Sequence, residues 1–424
     1  MAICLAIGGF SLCGASFAAA ETVVERYAGG QVKAEYNTND EGQKIGPYIE
    51  YYESGVVKIR AIYRNDQLNG KFASYRPNKK LSLRALYRLG KLQGEYVEYG
   101  EAGKISRKAE YVDGKLHGLD KRLDGRKVLA QWLWSHGELV LEGTTVSEIK
   151  RGLAKIEKTQ VKGPGSEIMK KAVRRLMGYR YLCGVPYEGL ELVEQMNLEA
   201  KCAAKVCEGL GGLTHHPKRN PGLSEEEFEL SKKGAARSNI YGGGNVLNSI
   251  NAYMDDSDKS NIDRVGHRRW CLNPSMLKLG LGSSGKYSAM WVFDKSRLVK
   301  DWQAIAYPAR GYMPTKFFGA RHAWSISFNR RHWYVPAIES LKISIRPMEK
   351  GELTKVAAKA AVALEPLKLD YKTVEKSAFG AGACVIFRPQ KIDIKPGRRY
   401  RVTIEGITTR KGRATTISYL VEFM

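Results

Sequence analysis

The chain has 424 residues, 43% of them hydrophobic and 10% aromatic, with 14 prolines; that is longer than one core usually organises and too apolar for a long disordered stalk, so two or three packed domains are expected. Lys and Arg number 69 against 44 Asp and Glu, a formal charge of +25, which draws the chain to polyanions. The basic residues are spread from Lys33 to Arg413, and no zinc-finger spacing or RRM-type aromatic motif occurs, so nucleic acid ranks below acidic envelope or surface polymers as a partner.

Residues 1–20 carry no charged side chain and end in Ala18, Ala19 and Ala20 before Glu21, a pattern expected of a cleaved secretory signal. An uncleaved anchor is the alternative, because the basic leading region is missing. The expected location is therefore periplasmic, cell-surface or secreted. Beyond it no apolar run approaches the ~20 residues of a membrane-spanning helix. Loss of Cys4 and Cys13 with the signal leaves Cys183, Cys202, Cys207, Cys271 and Cys384. An odd count leaves at least one unpaired, and spacing does not assign partners. A zinc–thiolate site has little support without a CxxC pair.

From Gly46 a 24-residue period governs the chain, restarting at Gly70 and Gly94. Tyr48, Phe72 and Tyr96 fall in register, as do Ala61, Ala85 and Ala109, and Tyr63, Tyr87 and Tyr111. Short alternating runs between turn signals such as Asn65-Asp66 and Asp113-Gly114 predict one β-hairpin per unit. Aromatic residues at one position per unit would stack along the array and bury a face that no single hairpin buries alone. An exposed aromatic strip for glycan or lipid contact is the other reading. The segments GKFASY, GEYVEY and YVDGKLHG resemble MORN-type repeats of the bacterial variant pattern, over about residues 26–140. That resemblance implies an elongated β meander used for binding or spacing, and residues 21–140 are assigned to it.

Thr145 and Glu148 have capping-box spacing, and Ile149, Leu153 and Ile156 follow at helical intervals, so 141–165 is expected to be a helical linker. Gly163-Pro164-Gly165 ends it, and Ser166 is placed to cap the next helix. Residues 188–210 are expected as one amphipathic helix with Met196, Ala200, Ala204 and Cys207 on its buried stripe and Cys202 well round from it. Pro217 stops the chain after His215 and His216. Val246–Met254 predicts another helix, Gly266 to Pro274 a polar loop with Trp270 in the core, and 277–282 and 287–293 strands.

The order of Tyr181-Leu182-Cys183-Gly184-Val185-Pro186, an Ala-rich helix, LTHHP, SNI, YMDD, GHRRWCLNP and WVFD resembles a CAP-superfamily domain of the cysteine-rich secretory protein type. It covers about 167–295 and is assigned 166–298. The resemblance implies an α-β-α sandwich with a cleft lined by two histidines and two acidic residues. The histidines fall on His215 and His267. The usual acid before Asn-Ile is absent, since Ser238 precedes Asn239, and Asp255 or Asp256 stands in for the second. Asn239 and Arg268 complete the expected cleft, with one of Arg268 and Arg269 ion-pairing with the YMDD acids. A pair of neutral imidazoles can bind a divalent cation such as zinc, with water and a carboxylate completing the shell; equally, a histidine at a helix end often only ties loops together. No HExxH or GxSxG motif occurs.

Residues 299–424 alternate in strand fashion, with Leu341, Ile343 and Ile345, Val385 and Phe387, and Tyr400, Val402 and Ile404 on one side. A small β-sandwich-like tail packed on the preceding domain, with Cys384 as a buried free thiol, is expected. The fold class is thus α+β and multidomain. The function expected is a non-enzymatic exported binding protein using the cleft. The alternative is a metal-assisted hydrolase with His215 and His267 as ligands and Asp256 as acid.

Overall fold

The computed structural model describes residues 21–136, 138–299, 301–348, 364–377 and 379–424; the expected signal, 1–20, lies outside them. The fold is α+β: an N-terminal antiparallel meander, a central mixed α/β region and largely antiparallel C-terminal sheets. No helix among the described residues is long and apolar enough to cross a membrane. The chain divides into two compact units, Met1–Leu139 and Val140–Met424. The linker, central and tail segments share the second.

In the first unit consecutive strands pair antiparallel in one 13-stranded sheet. The 24-residue period becomes a period of cross-strand pairs. Tyr48 faces Ala61, Phe72 faces Ala85, and Tyr96 faces Ala109, so each ring leans over a small residue and buries it, to 5%, 4% and 2% exposure. The second aromatic of each unit closes the group: Tyr48–Tyr63, Phe72–Tyr87 and Tyr96–Tyr111 have centroids 5.3, 5.7 and 5.5 Å apart, the tilted geometry that aromatic quadrupoles prefer. Register shifts at Tyr51, Tyr75 and Tyr99 mark one bulge per unit, which frees a carbonyl from the ladder. A side chain from the preceding unit fills each vacancy: Tyr27 Oη donates to Tyr51 O (2.7 Å), Tyr52 Oη to Tyr75 O (2.9 Å), and Arg76 to Tyr99 O (2.6 Å). The tight turns have both central residues at positive φ, at Asn65-Asp66, Leu89-Gly90 and Asp113-Gly114, as a type I′ hairpin requires.

The second unit opens with helix α1, Val146–Glu157, whose capping box is formed as expected: Glu148 N–H donates to Thr145 Oγ1 (3.3 Å) and Thr145 N–H to the Glu148 carboxylate (2.8 Å). Helix α2 spans Glu167–Leu182; Ser166 occupies its N-cap position without a side-chain capping bond. Helix α3, Glu194–Leu210, starts later than the expected 188 because Glu191–Leu192 pairs as a short parallel strand with Lys278–Leu279. Helices α4 (Glu225–Arg237), α5 (Val246–Asp255) and α6 (Gly266–Cys271) follow. The last occupies a stretch expected as loop.

The central sheet runs Glu191–Leu192, Lys278–Ser284, Tyr287–Trp291, Ser238–Gly242. Ile240 and Ala289 face the cluster built on α3 and α4. The neighbours Asn239 and Ser288 point the other way, where Tyr253 Oη of α5 donates to both their carbonyls at 2.9 and 3.4 Å. Helices therefore cover both faces. α3 approaches so closely that a Cβ on Gly280 or Gly282 would lie 2.1 or 2.2 Å from its backbone, and a Cβ on Gly234 of α4 would lie 2.0 Å from Glu199 O. Wedged between sheet and α4, α3 buries Cys202 as well as Cys207; the expectation of one buried stripe assumed one packed face. All five described cysteines are unpaired, and Cys384 is buried as expected.

In the tail, Ala304–Tyr307, Trp324–Phe328, Ala383–Pro389 and Leu369–Glu375 form one sheet, and a five-stranded sheet centres on Arg399–Thr409 and Ala414–Phe423. Trp324 joins them, touching Phe387 of the first and Tyr400 and Phe423 of the second. The tail is tied to the central region by two buried arginines. Arg268 donates to the carbonyls of Met254 (2.8 Å), Ala323 (2.9 Å) and Asp255 and to Ser325 Oγ (3.0 Å). Arg269 donates to the carbonyls of Ser377, Ala381 and Gly382. Neither side chain ion-pairs with Asp255 or Asp256, contrary to expectation, because backbone carbonyls of α5 and of the tail already take up the guanidiniums.

Candidate functional site

A cavity of about 300 Å³ opens where the segment after α3, the strand Ser238–Gly242, the loop before α6 and a tail loop converge; His215, Asn239, His267, Trp270 and Phe379 are among its walls. Pro217 ends the excursion after α3 and leaves His215 at the mouth. Its Nδ1 lies 2.8 Å from Ala235 O. A carbonyl only accepts, so Nδ1 carries the proton and Nε2 holds a lone pair. Partial burial lowers the His215 pKa, against the hydrogen bond to Ala235. The ring is therefore neutral above mildly acidic pH.

His267 is fixed the same way by a different acceptor. Its Nδ1 lies 2.8 Å from Asp256 Oδ1, while Asp256 Oδ2 accepts the Arg268 backbone N–H at 3.2 Å. Asp256 sits in the left-handed conformation at the end of α5, which turns its carboxylate behind the imidazole, buried to 3% exposure. Asn239 Nδ2 donates to His267 O at 3.0 Å, locking strand to helix. Next to it Ser238, 4% exposed, lines the cavity, and its Oγ has no hydrogen-bond partner among the described residues.

Of the expected cleft residues, His215, His267 and Asn239 share the wall. Asp256 acts through His267 rather than on the wall. Asp255 and Arg268 do not line it. Asp255 points toward His322, with Oδ1 3.6 Å from Nε2, and Arg268 is taken up by α5 carbonyls and the tail. Nor is Trp270 a core residue: half-buried, it stacks on Phe293 at 4.2 Å and forms a cavity wall. Arg264, Asn261, His216, Ala236 and Phe379 also line it, and among the described residues the lining holds no Asp or Glu. Phe379 reaches in against Gly266, where a Cβ would lie 3.2 Å from its ring, because Arg269 holds the flanking tail carbonyls.

Two imidazole Nε2 atoms have no hydrogen-bond partner among the described residues. No group of three or more His, Cys, Asp or Glu stands in metal-holding arrangement among the described residues. Zinc sites take three or four protein ligands, and Asp256, the expected third, is committed to His267. The set does not fit a resident zinc ion. No family model matches the chain, and no curated protein is significantly similar to it.

Proposed function

We propose that the chain is an exported, non-enzymatic binding protein of CAP type, in which this cavity receives a small ligand and the repeat sheet serves as a spacer or adhesive surface. The observation that carries the reading is Ser238: a buried hydroxyl without a partner, on a cavity wall supplied by separate segments of the chain. Leaving such a group unsatisfied costs about 1–3 kcal/mol, a cost that a ligand acceptor would offset. Among the described residues the wall also lacks a carboxylate to serve as general acid or nucleophile. The test is a small-molecule fragment screen read on the imidazole resonances of His215 and His267. Fragments that shift both, and stop doing so in Ser238→Val, support a ligand site; a screen that leaves both unmoved overturns it.

Metal-assisted hydrolysis is the second reading, favoured by the two imidazoles that line one cavity. Stoichiometric metal in the purified protein, lost in the His215→Ala/His267→Ala double variant, would favour it over the first.

A further inference from the structure

Resting on the reading of the cavity as a ligand site, we infer that its ligand is an acidic sugar: a single pyranose ring bearing a carboxylate. Size comes first. At about 300 Å³ the cavity is at the small end of ligand sites, room for one ring rather than a chain. The walls then divide by chemistry. Trp270, braced by Phe293 with ring planes only 21° apart, offers a flat apolar wall whose negative π face suits the C–H face of a sugar ring. The imidazoles of His215 and His267 have Nδ1 engaged with Ala235 O and Asp256, which leaves Nε2 of each for a ligand. Hydroxyls, which both donate and accept, suit two such ring nitrogens.

The charge of the ligand follows from what remains. Among the described residues, Arg264 is the cation on the wall and no Asp or Glu lines it. Arg264 meets Asp263 at 3.0 Å and Asn261 Oδ1 at 3.3 Å, yet a guanidinium has five N–H donors, so it can still hold a carboxylate. Asp256 stands behind the His267 ring, and Asp263, paired with Arg264, is not part of the lining. A cationic ligand would find no counter-charge, and a phosphate dianion only one arginine. The net charge of +25 acts in the same direction, concentrating acidic glycans around the chain.

The experiment titrates the full-length protein with methyl glucuronoside, methyl glucoside and acetate, read by calorimetry and by the indole and imidazole resonances. The glucuronoside is expected to bind about 10-fold or more tighter than the glucoside, consistent with a charge-assisted hydrogen bond, and acetate not measurably. Arg264→Gln should bring the two sugars within about 3-fold of each other, and Trp270→Ala should weaken both, with thermal transitions checking that each variant folds. Equal affinity for the two glycosides in the unaltered protein overturns the acidic-sugar assignment, as does tight binding of acetate. If no sugar binds but fragments still shift His215 and His267, the assignment falls and the cavity remains a ligand site. If nothing shifts them, both fall.

Discussion

His322 and Arg180 show how burial makes a single side chain sensitive. His322 packs on Phe318 with its Nδ1 3.2 Å from Tyr307 Oη, and burial pushes its pKa down to about 4, against the pull of Asp255 and with the push of Arg268. The unfolded chain takes up that proton near pH 6.5, so the stability held in the neutral ring is present above that value and is lost as pH falls toward 4, roughly 2–3 kcal/mol in all. His215 contributes in the same direction. Urea midpoints measured from pH 7 to pH 4 should fall less steeply in His322→Gln than in the unaltered protein; parallel curves would show that this ring is not the sensor. Arg180, wholly buried, gives its guanidinium to the carbonyls of Pro186, Cys271, Asn273 and Met276. Lysine keeps the charge but reaches only one or two of these, so Arg180→Lys should cost about 2–4 kcal/mol in equilibrium unfolding.

Elements were legible in the sequence to the extent that each made its own signal. The hairpins were, because a repeated register averages out local noise: Asn65-Asp66 and Asp113-Gly114 mark type I′ turns by residue type alone. Their counterpart Leu89-Gly90 breaks the rule. Leu89 sits at φ 47°, half-exposed, a conformation costing an ordinary side chain roughly 1–2 kcal/mol. Leu89→Asn should therefore stabilise the repeat unit by about 0.5–1 kcal/mol, seen as a raised thermal midpoint, and an unchanged or lowered midpoint would contradict the strain argument. The α1 capping box was legible for the same local reason. The start of α3 was not, because Glu191–Leu192 is claimed by a partner strand more than eighty residues away. Nor was the burial of Cys202, which depends on α4 closing over a helix whose own periodicity shows one apolar stripe.

At the scale of the whole molecule, the motifs alone point to His215, Asn239 and His267 as neighbours, but not to the roles of the residues around them. Phe379 belongs to the tail and carries no motif; only the carbonyl grip of Arg269 brings it to the wall. Charge is the property that needs no geometry. Retention of the protein on an immobilised acidic glycan should be strong at 0.1 M salt, where the screening length is about 10 Å, and largely lost at 1 M, where it is about 3 Å; retention that persists at 1 M would assign the binding to short-range contacts instead. The bulge carbonyls of the repeat sheet, each satisfied by a side chain 23 or 24 positions earlier, lead elsewhere. Because every unit supplies a side-chain donor, tyrosine or arginine, to the bulge carbonyl of the next, removing residues 70–93 as a block should leave the joined ends in register, and circular dichroism of the shortened protein should retain its β signal. Removing half that length should not. Length in this sheet is therefore counted rather than continuous, in steps of two strands or roughly 9–10 Å, so that duplication or loss of one coding block would lengthen or shorten it like links in a ruler.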